Sequence, residues 1–211
     1  MTICIVNYES GNLGSVMRAL RVINARVMIA DAPEQLASAD RLILPGVGNF
    51  RETMERLHAG GWVEVLRRRV LEAGRPLLGI CVGMQVLAEA GTESSTGGRP
   101  TPGLGLIRGT VQRLDALGCT LRIPQQGWNS LARAGADSPL LEHIPDGTDV
   151  YFSNSYALPA DSSAAVVAVV DYSVRVTAAV TSGPVMGIQF HPEKSSRAGL
   201  RVLRNFMEVP C

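Results

Sequence analysis

Short apolar runs alternate with amphipathic stretches along the first 90 residues, and this alternation leaves few folds open to the chain. The apolar runs are strand-sized and lie at Ile3–Val6, Val27–Ala30, Arg41–Leu44 and Leu77–Cys81. Between and after them lie stretches suited to helices, near Leu13–Ile23, Glu52–Glu72 and Val82–Ala90. Strands joined by helices pair in parallel, with helices covering both faces of the sheet. The sequence therefore predicts an α/β fold with a central, mostly parallel sheet flanked by helices.

The pattern changes after residue 92. Residues 92–102 are rich in Gly, Ser, Thr and Pro, which predicts an exposed loop. Short strands are then expected at Thr110–Leu114, Leu121–Ile123, Val150–Ser153, Ala165–Val170 and Arg175–Val180. An apolar strand at Val185–Phe190 and a helix from about Arg197 to Met207 end the chain. We expect an antiparallel extension of the sheet, with residues 1–211 forming a single domain.

Composition limits the possible partners and the compartment. A formal net charge of +1 gives no pull toward nucleic acid or an anionic membrane, and no apolar stretch reaches membrane-spanning length. The four cysteines, Cys4, Cys81, Cys119 and Cys211, have neither the spacing of a metal site nor that of a disulfide framework. The first six residues have no basic lead, so we expect no signal peptide. The sequence favours a cytoplasmic protein that binds neither nucleic acid nor membrane and holds no metal.

One cysteine lies at the junction between a buried strand and a helix. Cys81 follows Leu77–Ile80 and is flanked by Gly79 and Gly83, the small residues that a nucleophile elbow needs two positions before and after its nucleophile. The start of the following helix would favour a thiolate at this position. The alternative is an ordinary buried cysteine in an α/β core; the elbow favours catalysis, which also needs a partner base.

A candidate base lies near the other end of the chain. Of the three histidines, His58 ends a charged helical stretch and His143 lies in a short helix and turn. His191 instead follows the apolar strand at 185–190 and precedes Pro192 and Glu193, at the sheet edge where open α/β sheets bind ligands. Glu193 is close enough to accept a ring N–H and fix the imidazole tautomer. Together with an elbow cysteine, this predicts nucleophilic catalysis.

The motifs resemble those of class-I, triad-type glutamine amidotransferases, in particular the glutaminase subunits of imidazole glycerol phosphate synthase. The matching segments are Asn7–Leu13, Pro45–Phe50, Gly79–Gln85, Gly103–Ile107, Gly127–Asn129 and His191–Ser196. The resemblance implies a flavodoxin-like fold and hydrolysis of glutamine to glutamate and ammonia without a cofactor. It also implies a heterodimer with a (β/α)₈-barrel cyclase subunit, which uses the ammonia in histidine biosynthesis.

The resemblance assigns roles to individual residues. The triad would be Cys81, His191 and Glu193, and the oxyanion would be bound by backbone N–H groups at Val47, Gly48 and Val82. Substrate-binding positions correspond to Gln85, Glu93, Asn154, Ser155 and Tyr156, with Glu93 in a flexible loop. Partner-facing positions correspond to Asn12, Trp128 and Lys194.

Some positions depart from the family pattern and keep alternatives open. The family usually has Asp at the position of Asn7, Pro-His where Pro124-Gln125 stands, and Val-His where Ser153-Asn154 stands. These departures put the partner and the acceptor in doubt rather than glutamine hydrolysis. One alternative is a paralogous subunit feeding ammonia to a different synthase, for sugar or secondary-metabolite amidation. Another is a non-catalytic, flavodoxin-like regulator, against which the intact Cys81, His191 and Glu193 argue.

Overall fold

Thirteen strands and five α-helices make up the described part of the chain, which in this computed structural model is residues 1–9, 12–135, 137–163 and 165–210. The strands are β1 (Ile3–Val6), β2 (Val27–Ala30), β3 (Arg41–Gly46), β4 (Leu77–Cys81), β5 (Ala88–Thr96), β6 (Arg99–Pro102), β7 (Ile107–Arg113), β8 (Gln125–Arg133), β9 (Asp149–Asn154), β10 (Tyr156–Ala157), β11 (Val166–Asp171), β12 (Arg175–Ser182) and β13 (Val185–Ile188). The helices are α1 (Leu13–Val22), α2 (Phe50–Ala59), α3 (Trp62–Leu71), α4 (Val82–Gln85) and α5 (Ser196–Glu208). Ser10 and Gly11 of the opening motif, and Cys211, lie outside the described residues.

The central sheet has nine strands in the order β2-β1-β3-β4-β13-β12-β11-β8-β9. The first five strands in this order pair in parallel, and every pairing from β13 to β9 is antiparallel. The predicted α/β fold, a parallel sheet with an antiparallel extension, is therefore confirmed. Strands β4 and β13 lie side by side near the middle, with Ile80 opposite Ile188. This pairing brings the ends of the two strands together, although about a hundred residues separate them in sequence.

The core follows the predicted apolar pattern. Every residue of β1, β4 and β13 is buried, as expected for strands covered on both faces. Helix α1 buries Val16, Ala19 and Leu20, and helix α5 buries Val202, Leu203 and Phe206. The amphipathic face of each helix thus packs inward, as its sequence predicts.

Two predictions around residues 82–102 are wrong. The expected helix from Val82 to Ala90 ends at Gln85, and the expected loop at 92–102 contains most of β5 and all of β6. These strands belong to a second sheet, in the order β10-β7-β5-β6. Pairing with β7, from beyond the loop, satisfies the backbone of β5, and this non-local pairing outweighs the local preference for a helix or loop.

The structure differs from the sequence prediction in three smaller ways. The helix predicted over Glu52–Glu72 is interrupted at Gly60–Gly61, where Gly61 adopts a left-handed φ of 70°. No strand forms at Leu121–Ile123, whereas β8 was not predicted because much of this strand is polar or exposed. The family-matching segment Gly127–Asn129 lies within β8. None of the helices in the described part has the length and apolar character needed to cross a membrane.

Candidate active site

Cys81 lies at the turn from β4 into α4. Its backbone has φ 55° and ψ −115°, a conformation that is sparsely populated for residues other than glycine. The turn needs glycine on both sides, because a Cβ at Gly79 would lie 2.6 Å from the carbonyl oxygen of Gly83. A Cβ at Gly83 would lie 1.8 Å from the carbonyl oxygen of Leu44. Close packing of β3, β4 and α4 thus holds Cys81 in the strained turn of a nucleophile elbow.

The helix that follows Cys81 is shorter than expected. Because α4 has only four residues, fewer peptide dipoles add up at its N-terminus than in the helix predicted to extend to Ala90. The charge next to the sulfur comes instead from a side chain of another strand. His191 follows β13 by three residues, and the pairing of β13 with β4 carries its imidazole to Cys81.

His191 and Glu193 form a buried pair at the start of a 3₁₀ turn, Pro192–Lys194. The Nδ1 atom of His191 lies 2.9 Å from Oε1 of Glu193, and the two side chains are only 4% and 2% exposed. The backbone N–H of His191 donates to the carbonyl of Tyr151 in β9. Its carbonyl accepts from the hydroxyl of Ser195 at 2.6 Å. These contacts fix the ring while leaving Nε2 as the nitrogen available for chemistry.

The surroundings of His191 favour the charged imidazolium. Burial lowers the pKa of His191, but hydrogen bonds to Cys81 and Glu193, together with their charges, outweigh burial and raise the pKa to about 10. His191 therefore carries a proton at neutral pH. A cation in this position stabilises negative charge on the sulfur of Cys81.

Asn12, expected to face a partner, donates from Nδ2 to Oε1 of Glu193 at 2.5 Å. Burial raises the pKa of Glu193, but the hydrogen bonds from His191 and Asn12 and the charge of His191 outweigh burial, so this pKa lies below its usual range. Glu193 thus stays a carboxylate. Within the described residues, its Oε2 atom has no hydrogen-bond partner.

A cavity of about 330 Å³ opens in front of Cys81. Eleven of the residues singled out in the sequence line it: Val47, Gly48, Cys81, Val82, Gln85, Glu93, Asn154, Ser155, Tyr156, His191 and Lys194. Pro124 and Ser153 also line it and were not predicted. Glu193, Asn12 and Trp128 are not part of the wall; the first two lie behind His191. The volume suits a small-molecule ligand.

The predicted oxyanion loop begins where β3 ends. Gly46 is paired with Cys81 across β3 and β4, so Val47 and Gly48 leave the sheet next to the nucleophile. Gly48 has a φ of 104°, in the left-handed region that favours glycine. Val47 is 39% exposed. The loop therefore reaches the cavity through a peptide conformation that few other residues adopt.

Gln85 is buried on the cavity wall and makes two internal hydrogen bonds. Its Nε2 atom donates to the carbonyl of Tyr156 and to Oε1 of Gln189, both at 2.9 Å. The carbonyl of Tyr156 also accepts from Nδ2 of Asn154 at 3.1 Å. With both N–H groups of Gln85 used inside the protein, its side-chain oxygen is the atom left for a ligand.

Glu93 lies in β5 rather than in the flexible loop predicted for it. Its Oε2 atom accepts the backbone N–H of Phe50 at 2.8 Å, at the start of α2. Burial raises the pKa of Glu93 more than this hydrogen bond lowers it. A half-buried carboxyl group held by a strand at the cavity wall suits an ammonium group, whose charge favours the ionised form.

The sequence interpretation missed one side chain that touches the nucleophile. Gln189 is fully buried, and its Nε2 atom donates to Sγ of Cys81 at 3.6 Å. The sequence offered a signal, since a polar residue within the apolar run 185–190 needs a buried partner. Which partner it would find depended on the pairing of β13 with β4.

Two of the departures from the family pattern face each other. Gln125 in β8 is paired with Asn154 in β9, and both side chains are buried. Within the described residues, three side-chain atoms of this pair have no hydrogen-bond partner: Nε2 and Oε1 of Gln125, and Oδ1 of Asn154. The third departure, Asn7, donates to Asp31 at 2.6 Å on the exposed surface. The changes near the cavity are therefore concentrated on its β8–β9 side.

An aromatic patch lies beside the cavity mouth. Trp128 is 55% exposed and packs edge-on against Tyr151, with ring centroids 6.1 Å apart. The Nζ atom of Lys194, which also lines the cavity, lies 5.3 Å from the centre of the Tyr151 ring. His58 and His143 are exposed and take no part in this region. No cluster of three or more His, Cys, Asp or Glu residues able to hold a metal ion occurs in the described ranges.

Comparison with known proteins gives consistent matches. Residues 4–209 match the model of the family described as glutamine amidotransferase class-I. The chain is 44% identical to the imidazole glycerol phosphate synthase subunit HisH of Symbiobacterium thermophilum, covering 99% of this chain and 94% of that protein. It is 42% identical to the same subunit of Thermosynechococcus vestitus, covering 98% and 96%.

Solved structures show the same fold at lower identity. A crystal structure of a glutamine amidotransferase matches with a TM-score of 0.75 and 22% identity, covering 98% of this chain and 97% of that one. A glutamine amidotransferase from Thermotoga maritima matches with a TM-score of 0.64 and 19% identity, covering 99% and 83%.

Proposed function

The chain belongs to the class-I glutamine amidotransferases, and from this premise we propose that it is the glutaminase subunit of an imidazole glycerol phosphate synthase. It would hydrolyse glutamine to glutamate and ammonia and pass the ammonia to a cyclase subunit in histidine biosynthesis. One observation supports the proposal most directly: Cys81 sits in a strained elbow and shares the wall of one cavity with His191, whose ring is held by Glu193 from behind. The names of its relatives supply the pathway. We place the reaction in the cytoplasm.

The resting site is set up for nucleophilic attack. Protonated His191 stabilises negative charge on the sulfur of Cys81, which attacks the side-chain amide carbon of glutamine as a thiolate. The amide oxygen becomes an oxyanion, for which the backbone N–H of Val82 and the loop at Val47 and Gly48 would be the donors. One such donor lowers the barrier by about 3 kcal/mol.

His191 would then serve both halves of the reaction. It gives its proton to the leaving nitrogen, so the C–N bond breaks, ammonia departs and a thioester remains on Cys81. Neutral His191 next takes a proton from the water that attacks the thioester. The C–S bond breaks, glutamate leaves, and the thiolate and imidazolium are restored. Glu193, kept as a carboxylate, stabilises the imidazolium at both ends of this cycle.

The cavity wall suits the other end of glutamine. Glu93 and the side-chain oxygen of Gln85 are acceptors for the α-ammonium group. The strand segment at Asn154, Ser155 and Tyr156 would hold the α-carboxylate. We propose that the patch of Trp128, Tyr151 and Lys194 contacts a barrel-shaped cyclase subunit, because it is exposed and adjoins the cavity mouth.

An assay of glutamate release tests this proposal. The purified chain alone should hydrolyse glutamine slowly, and the cyclase subunit loaded with its own ligand should accelerate it at least about a hundredfold, the effect of one oxyanion donor. The cyclase subunit alone is the control. No glutamate under any condition would refute the function. Stimulation by another synthase but not by a histidine-pathway cyclase would establish the paralogous alternative instead.

A further inference from the structure

Gln189 is the buried polar side chain in contact with the nucleophilic sulfur. It follows β13 directly, one residue beyond the pair of Ile188 with Ile80, so the sheet places it beside Cys81. Gln189 is fully buried, and its Nε2 atom donates to Sγ of Cys81 at 3.6 Å. A buried amide costs free energy unless its polar atoms are satisfied. An apolar side chain of similar size would avoid this cost, so the contacts of the amide need an explanation.

The orientation of the Gln189 amide is fixed by its neighbours. Its Oε1 atom accepts from Nε2 of Gln85 at 2.9 Å, and Gln85 donates its other N–H to the carbonyl of Tyr156. Rotating the Gln85 amide would bring its oxygen against that carbonyl, and rotating Gln189 would bring two donors together. The network therefore has one consistent arrangement, in which an N–H of Gln189 faces the sulfur of Cys81.

We propose that Gln189 is a positioning residue for Cys81: its amide N–H holds Sγ toward the cavity and His191, and stabilises the sulfur whenever it is negatively charged. The sulfur carries negative charge as it attacks the substrate and again when it leaves the thioester. In both states Gln189 offers the sulfur a second donor besides His191. The catalytic part of this inference rests on the proposed glutaminase function, whereas the contact with the thiolate does not.

The same chain of amides links the substrate wall to the nucleophile. Gln85 lines the cavity, whereas Gln189, which Gln85 orients, does not. A ligand that hydrogen-bonds to the side-chain oxygen of Gln85 therefore contacts the same amide group whose Nε2 donates to Gln189. Binding at the wall and orientation of Sγ are thus coupled through two side chains, Gln85 and Gln189.

The rate of Cys81 alkylation by iodoacetamide, measured against pH by peptide mapping, tests the contact directly. In Gln189→Met the donor is lost, and the pH midpoint of alkylation should rise by about one unit, the effect of a hydrogen bond to a charged acceptor. Gln189→Glu, which places a carboxylate beside the sulfur, should raise it further. The other titratable groups around the sulfur and cavity, His191, Glu193, Glu93, Tyr156 and Lys194, are unchanged in both variants.

Thr177→Val is the matched control. Thr177 is a fully buried polar residue on the neighbouring strand β12, and its hydroxyl donates to the carbonyl of Pro159 rather than into the cavity. This variant should keep the wild-type alkylation midpoint. Glutaminase kinetics provide the second readout: Gln189→Met should lower kcat about tenfold and change KM by a smaller factor, because Gln189 contacts the sulfur directly but reaches the cavity wall only through Gln85.

A third measurement needs no change at Gln189. The side-chain amide of Gln189 should shift in the NMR spectrum of Cys81→Ala relative to wild type, since its acceptor is gone. A folded Gln189→Met with unchanged midpoint and kcat would overturn the proposal. If that variant does not fold, an unshifted amide in Cys81→Ala would overturn it. A wild type that never hydrolyses glutamine would refute the function, while the alkylation midpoints would still decide the contact.

Discussion

At the scale of single residues, the charge of His191 depends on its two partners. Burial would lower the pKa of this imidazole, and only the hydrogen bonds and charges of Cys81 and Glu193 raise it to about 10. Cys81, the proposed nucleophile, therefore also helps to keep the proposed acid, His191, protonated. Because the two groups are coupled, removing one changes the titration of the other.

The titration of His191 by NMR checks this coupling. In Cys81→Ala the pKa of His191 should fall well below its wild-type value, because one hydrogen bond and one charge are removed while burial remains. A native pKa above the ordinary 6.5 means that the folded state binds more protons between pH 6.5 and about 10. This contribution to stability is therefore complete below 6.5 and is lost as the pH rises toward 10. An unchanged pKa in Cys81→Ala would contradict the coupling.

Substitution of Asn12 distinguishes a role in partner binding from a role in orienting Glu193. The sequence resemblance places it against a partner, whereas the structure gives it a hydrogen bond to Glu193. Asn12 has a φ of 78°, so Asn12→Gly removes the side chain without straining the backbone. We expect about a tenfold loss of kcat in the chain without a partner, because Glu193 loses a donor that orients it. Loss of partner affinity with an unchanged rate for the isolated chain would restore the interface role.

At the scale of elements, the elbow depends on how closely α4 packs against β3. Gly83→Ala would place a Cβ 1.8 Å from the carbonyl oxygen of Leu44. Both residues are part of packed backbone segments, so neither can move away as a flexible side chain could. We expect about 3 kcal/mol of destabilisation, measured by urea unfolding, with loss of activity.

The matched control for this change is another helical glycine. A Cβ at Gly14 in α1 would meet nothing within 4 Å, so Gly14→Ala should stabilise the protein by up to about 1 kcal/mol. Equal effects of the two substitutions would show that helix propensity, and not the elbow, decides the outcome at Gly83.

Local sequence patterns predicted the helices with one apolar face and the strands that are apolar along their whole length. Strands β1 and β4 are buried over their whole length, and their apolar runs identify them. The strand β5 could not be predicted in this way, because its residues are small and polar and its hydrogen bonds come from β6 and β7. The interruption at Gly60–Gly61 did have a local signal that the periodicity of the flanking helices concealed.

In the candidate site too, residues within short motifs were predicted, whereas contacts between distant segments were not. The family resemblance identified most of the residues that line the cavity, because its motifs each lie within a few consecutive positions. Contacts that cross the sheet escaped prediction, namely Gln189 with Cys81 and Asn12 with Glu193. Both depend on pairings between segments more than a hundred residues apart, which no local pattern in a single sequence contains.

At the scale of the whole molecule, the parallel half of the sheet provides the nucleophile and its base. The antiparallel half provides Asn154 and the exposed Trp128–Tyr151 patch. The two halves meet at β13, so the candidate site lies where the parallel and antiparallel parts of the sheet join. We expect a partner that covers the patch also to close the cavity mouth at Lys194, so that ammonia passes into the partner instead of into water.

In the proposed function, this chain generates ammonia at Cys81 and its partner consumes that ammonia. The most direct test measures product formation by the complex of the cyclase subunit with Cys81→Ala, supplied with either glutamine or ammonium salt. We predict at least a roughly thousandfold loss of glutamine-dependent synthesis and an ammonia-dependent rate within about twofold of wild type. Glutamine-dependent synthesis that survives in Cys81→Ala would contradict the account.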